Sequence, residues 1–230
     1  MMLVFEHVRY EILRDPVVRD FSLTLAAGEA KTLFGPSGCG KTTVLRLAAG
    51  LEKPKSGSLK NSFAKTGFMF QENRLLNHLT ALKNILIFME HPNPAAVIAL
   101  AGEIGLEKGD LHKYPAELSG GMAKRVAFLR LLLCGCDLAL LDEPFVGLDR
   151  DLRAVLAAML AERIAQGLAC LLVTHDRFEA ARLSHQILLL SRKGMAVERT
   201  VNLPEPVVGR GDAYESRVVA QEFGGVVYYD

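Results

Sequence analysis

Short apolar runs recur along the chain, each bounded by polar residues. They are "EAKTLFG" (Glu29 to Gly35), "GFMF" (Gly67 to Phe70), "DLALLD" (Asp137 to Asp142), "ACLLVTH" (Ala169 to His175) and "QILLLS" (Gln186 to Ser191). Runs of this length fit strands covered on both faces. Between them lie helical patterns. "RDLRAVLAAMLAERIAQG" puts Leu152, Val155, Leu156, Met159, Leu160 and Ile164 on one stripe, with Gly167 where a helix ends. "DRFEAARLS" opens with Asp176 three residues before Glu179, in the manner of a capping box. Strands alternating with helices predict an α/β fold with a mostly parallel sheet. Two N-terminal stretches, "LVFEHVRYEI" and "VVRDFSLTLA", alternate apolar and polar residues, which predicts an antiparallel β-subdomain. "LTALKNILIFM" and "PAAVIALAGEIGL" predict a helical insert over 72–118. The expected layout is a single domain, 1–230. Its core is 1–71 and 119–200, and a tail over 201–230, with Pro204 and Pro206, is expected to wrap the surface.

Composition narrows the class. Half of the 230 residues are hydrophobic, 23% are charged and the net charge is +1, so no basic excess points to nucleic acid. A mean hydropathy of +0.20 fits either a large core or faces buried against other chains. No apolar run approaches the ~20 residues of a membrane-spanning helix. The N-terminus lacks the basic start and long apolar stretch of a signal peptide. Cys39, Cys134, Cys136 and Cys170 have no disulfide-framework spacing, so a cytoplasmic location is expected. Cys134 and Cys136, two apart near a helix end, are expected to point in different directions and to hold no metal.

"GPSGCGKTT", Gly35 to Thr43, matches G-x-x-x-x-G-K-[ST] between a predicted strand and a predicted helix. It predicts a P-loop NTPase core. Gly35, Gly38 and Gly40 let the loop curl so that successive backbone N–H groups, through Thr43, face one phosphate group; Pro36, which has no N–H, Ser37 and Cys39 fill the intervening places. The helix N-terminus adds its positive dipole end. Lys41 reaches the β- and γ-phosphates of ATP, and the Thr42 hydroxyl ligates Mg²⁺. Cys39 is either a small filler or a thiol activated by the surrounding N–H groups.

"LALLDEP" ends a buried strand on Asp142 and Glu143, where an unpaired acid would be costly. Asp142 fits as a metal-holding carboxylate. Glu143 fits as the base that polarises the attacking water. Gln71 and His175 also end strands. In an open α/β sheet ligands bind at strand carboxyl ends, so Gln71, Asp142, Glu143 and His175 should gather at one edge.

"LSGGMAKR", Leu118 to Arg125, is a second glycine-containing turn opening a helix. With "GPSGCGKTT", "FQE", "LALLDEP", "GLD" and "VTHD" in order, the chain resembles the ATP-binding subunit of an ABC transporter over about residues 3 to 200. The resemblance implies that Ser119, Gly120, Gly121 and Met122 face the γ-phosphate of ATP held by a second copy. A Ser hydroxyl and a helix N-terminus do form an anion site. It further implies Asp149 at the dimer seam and Gln71 joining Glu143 and His175 in catalysis and Thr42 and Asp142 in metal binding. Tyr10, or alternatively Phe5, would stack on adenine. The implied partners are a second copy, integral membrane permease subunits docked through the Gln71 loop and helical insert, and a solute-binding protein. The implied place is the inner face of the cell membrane, and the implied work is import of a small solute.

Two departures stand out. Met122 replaces the usual Gln and cannot supply its amide hydrogen bonds. The segment from Lys41 to Gln71 is short, as if part of a β-hairpin were missing. Both resemble ATPases of nitrate, sulfonate, taurine and pyrimidine-precursor importers. A P-loop GTPase would carry N-K-x-D, which is absent here, and a kinase has no use for "LSGG" with "VTHD". The alternative is a soluble non-transport ATPase of the same type, acting in assembly or repair.

Overall fold

The computed structural model describes residues 1–191 and 194–224. In chain order the strands are β1 (Met2–Ile12), β2 (Asp15–Ala26), β3 (Ala30–Phe34), β4 (Ser56–Asn61), β5 (Thr66–Met69), β6 (Leu138–Asp142), β7 (Ala169–Thr174), β8 (Gln186–Leu190) and β9 (Val197–Asn202). The helices are α1 (Lys41–Ala48), α2 (Ala81–Leu86), α3 (Pro94–Glu103), α4 (Gly120–Leu133), α5 (Arg150–Ala165), α6 (Arg177–Leu183) and α7 (Asp212–Glu222).

The strands form two sheets. β2-β1-β4 is antiparallel, with Phe5 opposite Leu23 on one side and Leu59 on the other. The larger sheet runs β5-β6-β7-β3-β8-β9, parallel except where β9 returns against β8. Strand periodicity divides its buried residues between two cores. Leu138 and Leu140 of β6, with Leu171 and Val173 of β7, face α1 and the small sheet. Ala139 and Leu141, with Cys170 and Leu172, face α4, α5 and the helices between 72 and 118. This two-sided burial is why the runs read as continuous apolar stretches rather than alternating ones.

Four expectations change. First, "SGSLKN" is a full strand, β4, although only Leu59 carries an apolar side chain, so the short segment still supplies the third strand of the small sheet. Second, the tail does more than wrap the surface. The last two residues of β9 help to complete the large sheet, and α7 with Phe223 just after it brings Val218 and Phe223 into a third core with Phe34, Ala180, Ile187 and Val201. Arg210, itself buried, staples this segment by donating to the carbonyls of Ala181, Ser184, Leu203 and Glu205. Residues 225–230 of the tail lie outside the described residues. Third, Val155 leaves the apolar stripe of α5 and is 39% exposed. Ala157 and Ala161 take its place beside Leu156, Leu160 and Ile164 because small residues allow closer approach to the sheet. Fourth, Asp176 does cap α6, accepting from the backbone N–H groups of Phe178 and Glu179. Glu179 does not reciprocate; its carboxylate accepts from the Thr174 hydroxyl at 2.6 Å instead.

The cysteine pair also differs from expectation. Both thiols turn toward one carbonyl, that of Leu131, at 3.1 Å for Cys134 and 4.0 Å for Cys136. Gly135 between them has φ of 69°, which reverses the chain and brings the second thiol back to the same side.

Candidate active site

The loop from Gly35 to Gly40 joins β3 to α1. Gly40 caps the helix with φ of 113°, a region that L side chains rarely adopt, and a Cβ there would lie 3.0 Å from the Val17 carbonyl oxygen. At Gly35 a Cβ would lie 3.0 Å from Leu190 Cβ. The glycines are therefore demanded by this chain's own backbone. The Lys41 ammonium is buried and donates to the carbonyls of Gly35 and Pro36, each at 2.7 Å. The cation thus lies over the loop, where phosphate oxygens can replace the carbonyls. Cys39 is buried, and burial raises its thiol above the ordinary range despite the nearby Lys41. Burial of this kind fits a small filler residue.

Asp142 ends β6 almost fully buried. Burial raises its pKa, opposed by the Thr42 hydroxyl, which donates to Oδ2 at 2.8 Å. A buried carboxylate held by one hydroxyl is under-compensated. Hard oxygen donors of this kind, a carboxylate and a threonine hydroxyl at the edge of a phosphate loop, fit a divalent cation such as Mg²⁺.

Glu143 follows with φ of 49°, uncommon for a non-glycine residue. Its N–H donates to the Val173 carbonyl at 2.9 Å, tying the turn to β7. Its Oε1 lies 3.2 Å from His175 Nδ1, one residue past the end of β7. Gln71 is exposed, two residues beyond β5. The strand order β5-β6-β7-β3 therefore brings Gln71, Asp142–Glu143, His175 and the phosphate loop to the carboxyl edge of four adjacent parallel strands.

The remaining candidates divide. Ser119 is the N-cap of α4 and accepts from the Met122 N–H at 3.2 Å. A Cβ on Gly120 or Gly121 would meet nothing within 4 Å. Met122 leans partly buried against the helical core. Asp149 caps α5 through the Leu152 N–H at 2.9 Å. The Tyr10 hydroxyl donates to Glu52 at 2.9 Å. Phe5 drops out as an adenine platform: it is buried edge-on to Phe21, 5.5 Å between centroids.

One contact escaped sequence reasoning. Lys124 of α4 is buried, and its ammonium donates to the carbonyls of Glu143 at 2.9 Å and Val146 at 3.1 Å. Its place four residues before buried Phe128, on a face that is otherwise apolar, was the available signal.

A phosphate loop between a parallel strand and a helix, beside a strand ending in two carboxylates, defines a P-loop NTPase. Residues 18–146 match the family described as ABC transporter. The chain is 40% identical over 203 residues to the aliphatic sulfonates import ATP-binding protein SsuB 1 of Rhodococcus jostii, covering 86% of this chain and 82% of that one. It is 36% identical over 211 residues to the sulfate/thiosulfate import ATP-binding protein CysA 2 of Rhizobium meliloti, covering 81% and 56%. The ATP-binding cassette MJ0796, solved as a dimer bound to ADP and phosphate, superposes with a TM-score of 0.75 at 27% identity, over 87% of this chain and 98% of that one. The chain belongs to the ABC transporter family, as an ATP-binding subunit that hydrolyses ATP. The non-transport alternative is not favoured.

Proposed function

We propose that two copies of this chain enclose two ATP molecules, each held by one copy's phosphate loop and closed by the other's Ser119–Met122 turn. The observation that carries this reading is the pair Gly120 and Gly121. Neither has a left-handed φ and neither has a neighbour that a Cβ would strike. Glycine costs about 1 kcal/mol per residue in a helix relative to Ala. Nothing inside the chain requires that cost, so what needs the bare backbone comes from outside.

Within each site, Lys41 leaves the Gly35 and Pro36 carbonyls for the β- and γ-phosphates, and N–H groups of the loop and of α1 take the remaining charge. Thr42 and Asp142, joined by Gln71, would hold Mg²⁺, which on binding neutralises phosphate charge. Glu143 accepts the proton of the attacking water, and His175, hydrogen-bonded to Glu143, orients that carboxylate and faces the γ-phosphate. Tyr10 lies against adenine, and Asp149 sits at the seam between copies.

Among the described residues no helix is long and apolar enough to cross a membrane. The chain docks on permease subunits at the inner face of the cell membrane. Ile87 and Phe88 beside α2, both exposed, support the 72–118 insert as the docking segment. The relatives' names support import of a sulfur oxyanion, and the resemblance to importers adds a solute-binding protein to the system.

A mixed dimer tests the shared sites. One chain carries Lys41→Ala and the other Ser119→Arg, each inactive as a homodimer. The pair retains one intact composite site, so hydrolysis should return at up to half the wild-type rate. Cysteines at Ser119 of one chain and Gly38 of the other should also cross-link only with ATP. Failure to approach under any nucleotide condition refutes the shared site.

A further inference from the structure

Lys124 spends its charge in an unusual place. Burial pushes its pKa down, yet its two hydrogen bonds go to main-chain carbonyls, those of Glu143 and Val146, rather than to a carboxylate. The carboxylates of Asp142, Glu143 and Glu179 lie near enough to favour the ammonium. Both carbonyls belong to the turn that leaves β6. That turn is strained: Glu143 has φ of 49° and precedes Pro144, whose ring further restricts the residue before it. Strain of this kind persists only where neighbours hold it. The Glu143 N–H is fixed on Val173 and its C=O on Lys124, so the residue is clamped from both sides of its Cα. The direction of its side chain follows from that clamp.

We propose that Lys124 is a positioning residue for ATP hydrolysis: it holds the Glu143–Val146 turn so that the Glu143 carboxylate is aimed at the attacking water, and it thereby links the helix opening at Ser119 to the catalytic turn of the same chain. The inference rests on Glu143 acting as the base. Lys124 touches neither nucleotide nor water in this role; it acts through the backbone of Glu143.

Lys124→Met keeps the stem and removes the donor, leaving the Glu143 and Val146 carbonyls without it. In the full-length chain it should bind ATP within about twofold of wild type while kcat falls ~10–100-fold, the mark of an interaction that matters after binding. Lys124→Gln, which restores a donor with shorter reach, should turn over at least about threefold faster than Lys124→Met. The proposal is overturned by Lys124→Met turning over within twofold of wild type, by Lys124→Gln no faster than Lys124→Met, or by ATP affinity falling in step with kcat. If Lys124→Met does not fold, Lys124→Leu, which also removes the donor, takes its place. Turnover about threefold or more below both wild type and Lys124→Gln at unchanged ATP affinity supports the link, and wild-type turnover of Lys124→Leu overturns it.

The mixed dimer locates the effect. With Ser119→Arg on one chain and Lys41→Ala on the other, Lys124→Met added to the first chain, which supplies the working phosphate loop and Glu143, should slow hydrolysis. Added to the second chain, which supplies the working Ser119 turn, it should slow it far less. The reverse pattern would assign the effect to the Ser119 turn and overturn the proposal. A mixed dimer inactive before Lys124 is changed bears on the shared-site reading alone, and the homodimer series still decides the role of Lys124.

Discussion

The chain builds two helix N-termini rich in glycine, and they are glycine-rich for opposite reasons. At α1 the glycines are imposed from within. Gly40 has φ of 113° and would collide with Val17, and Gly35 would crowd Leu190. Its capping position offers no side-chain hydrogen bond, and Lys41, Thr42 and Asp142 close around it. At α4 the turn is an ordinary N-cap made by Ser119, with backbone angles any residue adopts and open space over Gly120 and Gly121. The acid nearest in sequence, Glu117, is engaged by the Tyr114 N–H at 2.7 Å. One cradle is complete with its chemistry, and the other is a cradle alone. A motif match cannot separate the two cases. Whether a Cβ would strike something can.

Five substitutions bear on this contrast, the largest expected effect first. Glu143→Gln should leave ATP binding intact and lower turnover ~10²–10⁴-fold, the range for a lost general base. Steady-state hydrolysis beside a nucleotide titration measures it, and near-normal turnover would remove the chemistry from the first cradle. Lys41→Ala should weaken ATP binding itself by roughly 10–100-fold, since a charge-assisted hydrogen bond is worth about 1.5–3 kcal/mol. ATP affinity within twofold of wild type would misplace the lysine.

The glycines give opposite signs. Gly40→Ala should destabilise the nucleotide-free fold by about 1–3 kcal/mol, the cost of a strained backbone position. Gly121→Ala should instead stabilise it, by up to about 1 kcal/mol, while weakening ATP-driven dimerisation. Denaturant unfolding of both, with sedimentation in ATP for the second, makes the comparison. Two shifts of the same sign would erase the distinction. The smallest effect is expected for Met122→Gln. The amide can add a hydrogen bond worth about 0.5–1.5 kcal/mol to the ATP-bound dimer, but the Met side chain gives up contact with the helical core. Sedimentation in the Glu143→Gln background should show a modest tightening; weaker dimers would mean that the core contact dominates.

What could be read from the sequence follows how each element is buried. β3, β6, β7 and β8 are covered on both faces and announce themselves as apolar runs, while β5, at the sheet's edge, buries only Met69 fully. β4 and β9 lie outside that regime: "SGSLKN" has Leu59 as its one apolar side chain, and "VERTVN" buries only Val201. Their identity comes from partners, β1 and β8, that no local pattern names. α7 was hidden for the same reason, since it packs Val218 against a core assembled by Phe34, Ile187 and Val201. At the site, the gathering of Gln71, Asp142, Glu143 and His175 at one sheet edge was legible because strand carboxyl ends are a general address. Lys124 was not, because its acceptors are backbone carbonyls, which every residue carries. Tyr10 was singled out as an aromatic, and its bond to Glu52 could not be foreseen from composition or spacing.

The strand order carries a consequence for synthesis. β3, which delivers the phosphate loop, is made early, yet its neighbours in the sheet are β7 and β8. Until residue 174 has emerged from the ribosome β3 has no partner on either edge, and its second edge waits for β8, which ends at Leu190; unpaired strand edges invite association with other chains. The nascent chain therefore holds a finished P-loop sequence before the strands that flank β3 exist. The sheet closes around it only when the second half of the chain lays β7 and then β8 along the two sides of a strand already waiting.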